Sequence, residues 1–118
     1  MIYISSAYTN ADPLEVEKNV AKARAVAQEI IHLGALMFCP HTHSHGFLGL
    51  THSEWLTLDL KVLNVCDAIL MVNGWQKSKG ATMEWQFAQL HGIPTFYSTF
   101  EVKTWLKDHH LIYNPRSL

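Results

Sequence analysis

The segment Ser78-Lys79-Gly80-Ala81-Thr82-Met83-Glu84 carries the residue types best suited to chemistry. It follows an apolar, strand-like run and opens a helix-like one, so unpaired backbone N–H groups and the positive end of a helix dipole would face a ligand there. Ser78 adds a hydroxyl donor, and Gly80 lets the backbone approach a phosphate closely. Glu84, placed by this pattern in the first helical turn, would be kept ionised by the dipole, as a carboxylate nucleophile must be. The alternative is that Glu84 only complements the helix dipole.

A second carboxylate, Asp59, lies on a predicted helix beside Trp55 and Leu63, at the edge of the apolar face. A carboxylate there either has a raised pKa or is satisfied by a partner elsewhere in the fold. A pairing of Asp59 with Glu84 would be compatible with glycosidic chemistry, which typically uses two carboxylates in different roles. Tyr3, in the first strand, either points its hydroxyl at the same site or is a core aromatic residue.

Four histidines cluster after the second predicted strand: His41, His43, His45 and His52. Alternate residues of an extended segment share a face, so the first three could converge on a metal ion. No Asp, Glu or Cys in the segment completes a familiar ligand set, and Pro40 and Gly46 predict an irregular loop. The sequence therefore favours no metal and no cofactor, and leaves contact with substrate or plain solvation for these side chains.

The composition is that of a small globular protein. Of the 118 residues, 48% are apolar and 16% charged, so we expect one domain over residues 1–118. The formal charge of −1, with basic residues spread along the chain, argues against nucleic acid or an anionic membrane as partner. No apolar run approaches the ~20 residues of a membrane span, and the first residues do not resemble a signal peptide. Cys39 and Cys66 each lie in an apolar segment, which predicts buried, reduced thiols in a cytoplasmic protein.

Strand-like and helix-like segments alternate along the chain. The clearest helix start is at Asp12, which can cap, with Pro13 in the first turn and Glu15 completing a capping box. Residues 56–62 also alternate like a strand, but we prefer a helix because the parallel strands on either side need a crossover. The pattern predicts strands over residues 2–6, 35–39, 68–73 and 93–97, and helices over 12–34, 51–64 (from Thr51 or Ser53), 81–91 and 101–107.

This βαβαβαβα order predicts a flavodoxin- or Rossmann-like α/β fold, an open parallel sheet of four to five strands with helices on both faces. In such sheets a ligand binds beyond the carboxyl ends of the strands. Trp75 and Trp55 could stack on a nucleobase there, whereas Trp85, inside a helix, is expected in the core. The predicted substrate contacts are Ser5, Ser6, Tyr8, His43, Trp75, Ser78 and Gly80.

Three features, in order, resemble the nucleoside 2-deoxyribosyltransferase-like superfamily over residues 1 to about 97. They are Ile2-Tyr3-Ile4-Ser5-Ser6, then Asp59 eight residues before the Asp of Cys66-Asp67-Ala68, and then Ser78 to Glu84. The chain is similar to a group of short bacterial and phage proteins of unassigned function in that superfamily, and it is also similar to the deoxynucleoside 5′-monophosphate N-glycosidases.

The resemblance implies cleavage of the N-glycosidic bond of a nucleoside or nucleoside 5′-monophosphate. Glu84 then corresponds to the nucleophile that attacks C1′, Asp59 to the residue that assists at the base or positions the sugar, and Tyr3 to the residue that orients the nucleophile. Ser78, six residues before Glu84, corresponds to a serine of the branches that act on 5′-monophosphates. The resemblance also implies a homo-oligomer, a dimer or tetramer, in which a neighbouring subunit finishes the pocket.

The sequence departs from the family in Ala81-Thr82-Met83, which is bulkier than the usual glycine-rich stretch, and in its His-rich loop. It does not separate hydrolysis from transfer to a second base. Two other functions remain open. One is a non-catalytic nucleotide-binding module of the same fold. The other is a metal-dependent hydrolase built on His41, His43 and His45.

Overall fold

The computed structural model describes residues 1–109. The strands are β1 (Ile2–Ser5), β2 (Met37–Phe38), β3 (Ala68–Met71) and β4 (Thr95–Phe96). The helices are α1 (Pro13–His32), α2 (Pro40–His43), α3 (His52–Leu63), α4 (Lys79–Leu90) and α5 (Thr99–His109), with a 3-10 turn at Trp75–Lys77 between β3 and α4.

All the strand pairs of the described sheet are parallel, in the order β2-β1-β3-β4. Tyr3 in β1 is opposite Phe38 in β2 and Ile69 in β3, and Ser5 is opposite Met71. The predicted fold class, an open parallel α/β sheet of the flavodoxin or Rossmann kind, is confirmed. The order places β1 and β3 in the centre, so the carboxyl ends of these two strands meet at the middle of one sheet edge.

Helices cover both faces of the sheet, as predicted. On one face, Ile4 and Leu70 pack against Ala27 of α1 and Val102 of α5. On the other face, Tyr3, Ile69 and Met71 pack against Leu63 of α3 and Ala88 of α4. The runs IYIS and AILM are buried along their whole length because each contributes to both cores, which is the pattern of a central parallel strand.

The helix starts follow the cap residues, with one difference from the sequence prediction. Asp12 caps α1 by accepting the N–H of Leu14, but the predicted capping box with Glu15 is wrong. The Glu15 carboxylate instead bonds the Lys18 ammonium at 3.1 Å, because an exposed glutamate one turn before a lysine has a charged partner on its own helix face. Thr51, rather than Ser53, caps α3, in a capping box with Glu54.

The segment after β2 also differs from the prediction of an irregular loop. Residues Pro40–His43 form one helical turn, in which Pro40 occupies the first position and needs no hydrogen-bond acceptor for its nitrogen. Cys39 and Cys66 are buried and carry free thiols, as predicted. Among residues 1–109, no helix combines the length and the apolar character that crossing a membrane would require.

Candidate active site

Glu84 on α4 is the buried carboxylate at the carboxyl end of the central strands. Its side chain is 3% exposed. The Tyr3 hydroxyl donates to Oε2 at 2.5 Å, and the Ser5 hydroxyl donates to Oε1 at 2.7 Å. Tyr3 and Ser5 are two residues apart in β1, so both side chains point to the face that α4 covers. Each oxygen of the carboxylate is therefore held by one hydroxyl of the same strand.

The expectation that the helix dipole keeps Glu84 ionised is wrong. Ser78 caps α4 and the helix begins at Lys79, two residues earlier than predicted, so Glu84 lies in the second turn, where the dipole is weak. Burial raises the pKa of Glu84 to about 7, against the lowering effect of the Tyr3 and Ser5 hydrogen bonds. The charge of Asp59 raises it further. Glu84 therefore changes its protonation state near neutral pH.

Asp59 on α3 is half-buried and lies beside the same site. Burial raises its pKa to about 6. Its negative charge also raises the pKa of both Glu84 and Tyr3. The sequence left two alternatives for Asp59, a raised pKa or a partner that satisfies its charge, and the structure supports the raised pKa. Two acids that both titrate near neutrality are thus placed at one sheet edge.

Tyr3 combines the two roles considered for it. Its side chain is 0% exposed and packs in the core beneath α3 and α4, with its ring 6.0 Å from that of Phe38. Burial, and then the neighbouring charge of Glu84, raise its pKa well above the usual value of 10.0. Tyr3 therefore keeps its own proton throughout the range in which Glu84 titrates, and can donate it to the ionised Glu84 carboxylate.

The start of α4 precedes Glu84 on the same helix, and Ser78 is its cap. Ser78 Oγ accepts the N–H of Ala81 at 3.1 Å, so this hydroxyl is a helix cap whose own hydrogen remains available. A Cβ added at Gly80 would come no nearer than 3.9 Å to any other group, namely Ser78 Oγ. The space in front of Gly80 is thus open, which leaves room for a ligand at the helix N-terminus.

Trp75 follows β3 on the 3-10 turn, and its ring stacks on Trp85 with 5.5 Å between centroids. Trp85 Nε1 donates to the Tyr97 hydroxyl at 3.0 Å, so Trp85 is half-buried at the surface rather than enclosed in the core. One face of Trp75 is therefore already covered by the protein. The left-handed backbone of Gly74, with φ of 94°, makes the sharp turn that brings Trp75 there.

The histidines after β2 do not converge. His41 Nε2 is 2.8 Å from the Ser6 carbonyl oxygen, and His43 Nδ1 is 2.9 Å from Ser44 Oγ. His45 bridges the Tyr8 hydroxyl, 2.7 Å from Nδ1, and a Glu17 carboxylate oxygen, 2.8 Å from Nε2. Within residues 1–109, no group of three His, Cys, Asp or Glu side chains is arranged to hold a metal ion. The geometry gives no support to a hydrolase built on these imidazoles.

The structure thus groups the predicted site residues into three sets. Tyr3 and Ser5 bond Glu84, and the charge of Asp59 acts on it. The predicted contact of Ser5 with substrate stays a prediction. Ser78 and Gly80 lie at the start of α4, and the remaining candidates border the same edge: Ser6, Tyr8, His43 and Trp75.

Glu17 is the residue that sequence reasoning missed. It belongs to α1 and meets His45 only through the tertiary fold, and no spacing along the chain signals that contact.

A cavity at the opposite sheet edge is a competing position for a site. It lies at the amino ends of the strands and is lined by Met1, Ala35, Asp67 and Trp105, among others. The exposed N-terminal ammonium group bonds the Asp67 carboxylate there. Parallel sheets place ligands at the carboxyl ends, where Glu84 and Asp59 lie, so we assign the candidate site to that edge.

Residues 1–97 match the family described as a domain of unknown function, DUF4406. The chain belongs to this family. No curated protein matches it. Among solved structures, a 2-deoxyribosyltransferase from Bacillus psychrosaccharolyticus is similar to this DUF4406 chain, with a TM-score of 0.56 and 24% identity. The match covers 80% of the DUF4406 chain and 68% of the transferase, and at this identity it shows a shared fold.

The burial of Glu84 predicts a specific pH dependence of stability for this DUF4406 protein. Its pKa is higher in the folded chain, about 7, than the usual 4.5, so folding favours the protonated acid. The stabilising contribution is complete below the unfolded pKa and is lost as the pH rises through about 7. From pH 5 to pH 8, the free energy of unfolding of the wild type, measured by urea denaturation, should therefore fall by about 2 kcal/mol more than that of Glu84→Gln, whose side chain stays neutral. The exposed control Glu29→Gln should follow the wild type, and parallel curves for wild type and Glu84→Gln would contradict the assignment.

Proposed function

We propose that this DUF4406 protein cleaves the N-glycosidic bond of a nucleoside or nucleoside 5′-monophosphate, with Glu84 as the nucleophile. The observation that carries the proposal is the buried Glu84 carboxylate, held by one hydroxyl on each oxygen at the carboxyl end of the central strands. A second acid, Asp59, lies beside it. The fold shared with a protein described as a 2-deoxyribosyltransferase supports the same reaction class.

In the proposed reaction, a Glu84 oxygen attacks C1′ and the C1′–N bond breaks, with its electron pair leaving on the base. Asp59 donates a proton to the departing base. Tyr3 and Ser5 hold the carboxylate in line, which restricts its motion before attack. The resulting glycosyl ester on Glu84 is then attacked at C1′ by water, which completes hydrolysis, or by a nitrogen of a second base, which completes transfer. The bond between C1′ and the Glu84 oxygen breaks and frees the carboxylate, while Asp59, now ionised, takes the proton from the attacking water or base.

The reaction needs Glu84 without its proton and Asp59 with one. Burial brings both pKa values near neutrality, to about 7 and about 6, so the pair holds a single proton in that range. The two groups interact, and their apparent titration steps therefore belong to the pair rather than to either residue. A bound base that accepts a hydrogen bond from Asp59 favours the form with the proton on Asp59 and the charge on Glu84.

A 5′-phosphate would bind at the start of α4. The N-terminal N–H groups of this 12-residue helix, the Ser78 hydroxyl and the open space before Gly80 together suit an anion. This arrangement favours a nucleotide over a nucleoside as substrate.

The proposal requires no metal and no cofactor, and its partner is a small molecule rather than nucleic acid or a membrane. We also propose a cytoplasmic homo-oligomer, a dimer or tetramer, over a single domain of residues 1–118. The exposed apolar side chains of Leu58 on α3 and Met83 on α4, 44% and 38% exposed, support burial of this side of the site by a second subunit.

A non-catalytic nucleotide-binding module is the second candidate function. It is favoured by the near-complete burial of Glu84, both of whose oxygens are already bonded within the protein. In that case Glu84 is a structural acid that ties α4 to β1. The module predicts that Glu84→Gln leaves nucleotide affinity unchanged and that the wild type releases no base.

The nucleophile is tested by chromatography of ribo- and deoxyribonucleosides and their 5′-monophosphates after incubation with the purified protein, with and without a second base. The wild type should release free base from at least one of them. Glu84→Gln keeps the size of the side chain, and its NH2 group can donate to one of the two hydroxyls while its oxygen accepts from the other, so it should fold and lose at least about 10³-fold in rate. Glu29→Gln, on the exposed side of α1, should keep the wild-type rate. A Glu84→Gln rate near that of the wild type would eliminate Glu84 as the nucleophile.

Ser78→Ala should raise KM for the monophosphate and leave activity on the matching nucleoside unchanged, because only the monophosphate carries the group that Ser78 binds. Loss of the cap costs α4 about 1 kcal/mol, but this affects both substrates equally. Ser98→Ala is the matched control, since Ser98 Oγ similarly accepts a backbone N–H, that of Glu101, at the start of α5. Equal losses on both substrates would show that Ser78 has a structural role only.

Asp59→Asn should change the shape of the pH–rate profile. In the wild type, kcat/KM should fall at low pH as Glu84 takes up a proton and at high pH as Asp59 loses one. The variant has no proton to lose at this position, so its slower rate should only rise with pH to a plateau. Asp108→Asn, on exposed α5 surface, serves as the control. A variant profile with the same two limbs as the wild type would remove Asp59 from acid–base catalysis.

A further inference from the structure

The end of β1 is fixed by two hydrogen bonds from different elements. The Ser5 carbonyl accepts the N–H of Val72, which follows β3, at 2.8 Å. The next carbonyl, that of Ser6, is 2.8 Å from His41 Nε2 on α2. An imidazole nitrogen can satisfy a carbonyl only as an N–H donor, so His41 carries its proton on Nε2. Ser6 thus lies between two anchored peptides, the one before it held by Val72 and the one after it held by His41.

His41 is itself held in place by a small network. The Tyr8 ring lies against the His41 ring, with 4.6 Å between centroids. The Tyr8 hydroxyl is 2.7 Å from His45 Nδ1, and His45 Nε2 is 2.8 Å from Glu17 on α1. We call His41, Tyr8, His45 and Glu17 the imidazole clamp. It ties together the segments that follow β1 and β2 and the first turns of α1.

The clamp acts on the residue that contacts Glu84. Ser5 donates to Glu84 Oε1 at 2.7 Å, and its neighbour Ser6 is 3% exposed with a hydroxyl that has no partner within residues 1–109. The Ser6 side chain therefore does not anchor the strand end, and the contact of its carbonyl with His41 does. Ser5 itself is paired with β3, but Ser6 directly follows it, so loss of the His41 contact removes the restraint on the far side of Ser5 and lets its hydroxyl shift on the Glu84 carboxylate.

We propose that His41 is a positioning residue for Glu84, which acts through the Ser6 carbonyl to hold the Ser5 hydroxyl on the Glu84 carboxylate. The inference rests on the proposed function only for the role of Glu84 in turnover, since the contacts exist without it. The positioning role of His41 gives the His-rich segment a function that requires neither a bound metal nor direct contact with substrate.

The titration of Glu84 reports this role. The ionisable groups that face Glu84 are Tyr3 from β1, Asp59 from α3 and Cys39 at the end of β2. Tyr3 and Ser5 are the donors that stabilise its charged form. Removal of the hydrogen bond from the Ser5 hydroxyl should raise the titration midpoint of Glu84. Displacement of that hydroxyl should raise the midpoint as well. Burial lowers the pKa of His41, which disfavours its charged form.

The test is a double-mutant cycle on the ¹³C NMR titration of the Glu84 carboxyl carbon, assigned by its absence in Glu84→Gln. Ser5→Ala should raise the midpoint, and His41→Ala should raise it in the same direction by about half a pH unit or more. The double variant should shift no further than Ser5→Ala alone, because His41 acts through Ser5. His41→Gln, whose carboxamide can donate to the Ser6 carbonyl, should return the midpoint towards the wild-type value. His52→Ala, an exposed histidine outside the clamp, should leave the midpoint unchanged.

Additive shifts, or a His41→Ala midpoint equal to that of the wild type, would overturn the inference. A general loss of stability in His41→Ala would lower the melting temperature, but the midpoint shifts of the two single variants would then not combine non-additively in the double variant. If His41→Ala does not fold, His41→Leu keeps most of the volume, removes the donor and takes its place in the cycle. The titration needs no turnover, so a coupled midpoint in a protein that releases no base would support the positioning role and reject the glycosidase separately.

Discussion

The hydrogen-bonded burial of the Glu84 carboxylate between Tyr3 and Ser5 is the constraint on which the site depends. A carboxylate removed from water is costly unless donors replace its hydration, and here the two hydroxyls of β1 are the donors. Because both come from one strand, α4 is held against β1 at a fixed register. The same burial places the pKa of Glu84 at about 7, so one interaction joins the packing of the helix to the reactivity of the acid.

The rest of the sheet supports this interaction. β1 lies between β2 and β3, so its residues are fixed on both sides, and the alternation of a strand sends Tyr3 and Ser5 to one face and Ile2 and Ile4 to the other. The helices α3 and α4 then bring Asp59 and Glu84 to that face. Beyond the strand ends, the imidazole clamp connects the segments that follow β1 and β2, which the hydrogen bonds of the sheet do not reach. The paired strands and the imidazole clamp together hold Glu84 in one position, which is the pre-organisation that the proposed reaction needs.

Sequence reasoning succeeded where the signal is local or periodic. The strand and helix order, the cap at Thr51 and the buried cysteines follow from runs, caps and spacing, and the resemblance brought Tyr3, Asp59 and Glu84 together. It failed where a contact or an environment decides the outcome. The protonation of Glu84 depends on how deeply α4 packs, and the bonds of His41 and His45 depend on Ser6, Tyr8 and Glu17, none of which a one-dimensional pattern pairs with them. The Glu15 carboxylate likewise accepts a hydrogen bond from the Lys18 ammonium group and does not form the predicted capping box.

Covalent trapping tests the central claim most directly. A deoxynucleoside or its monophosphate that carries fluorine at C2′ forms the glycosyl ester and releases it slowly, since fluorine disfavours an oxocarbenium-like transition state. After an acid quench and proteolysis, mass spectrometry should find the added sugar on the peptide that contains Glu84, with an equal amount of base released, and no adduct in Glu84→Gln. Release of base with no adduct, or with the sugar on a peptide that lacks Glu84, would contradict the account.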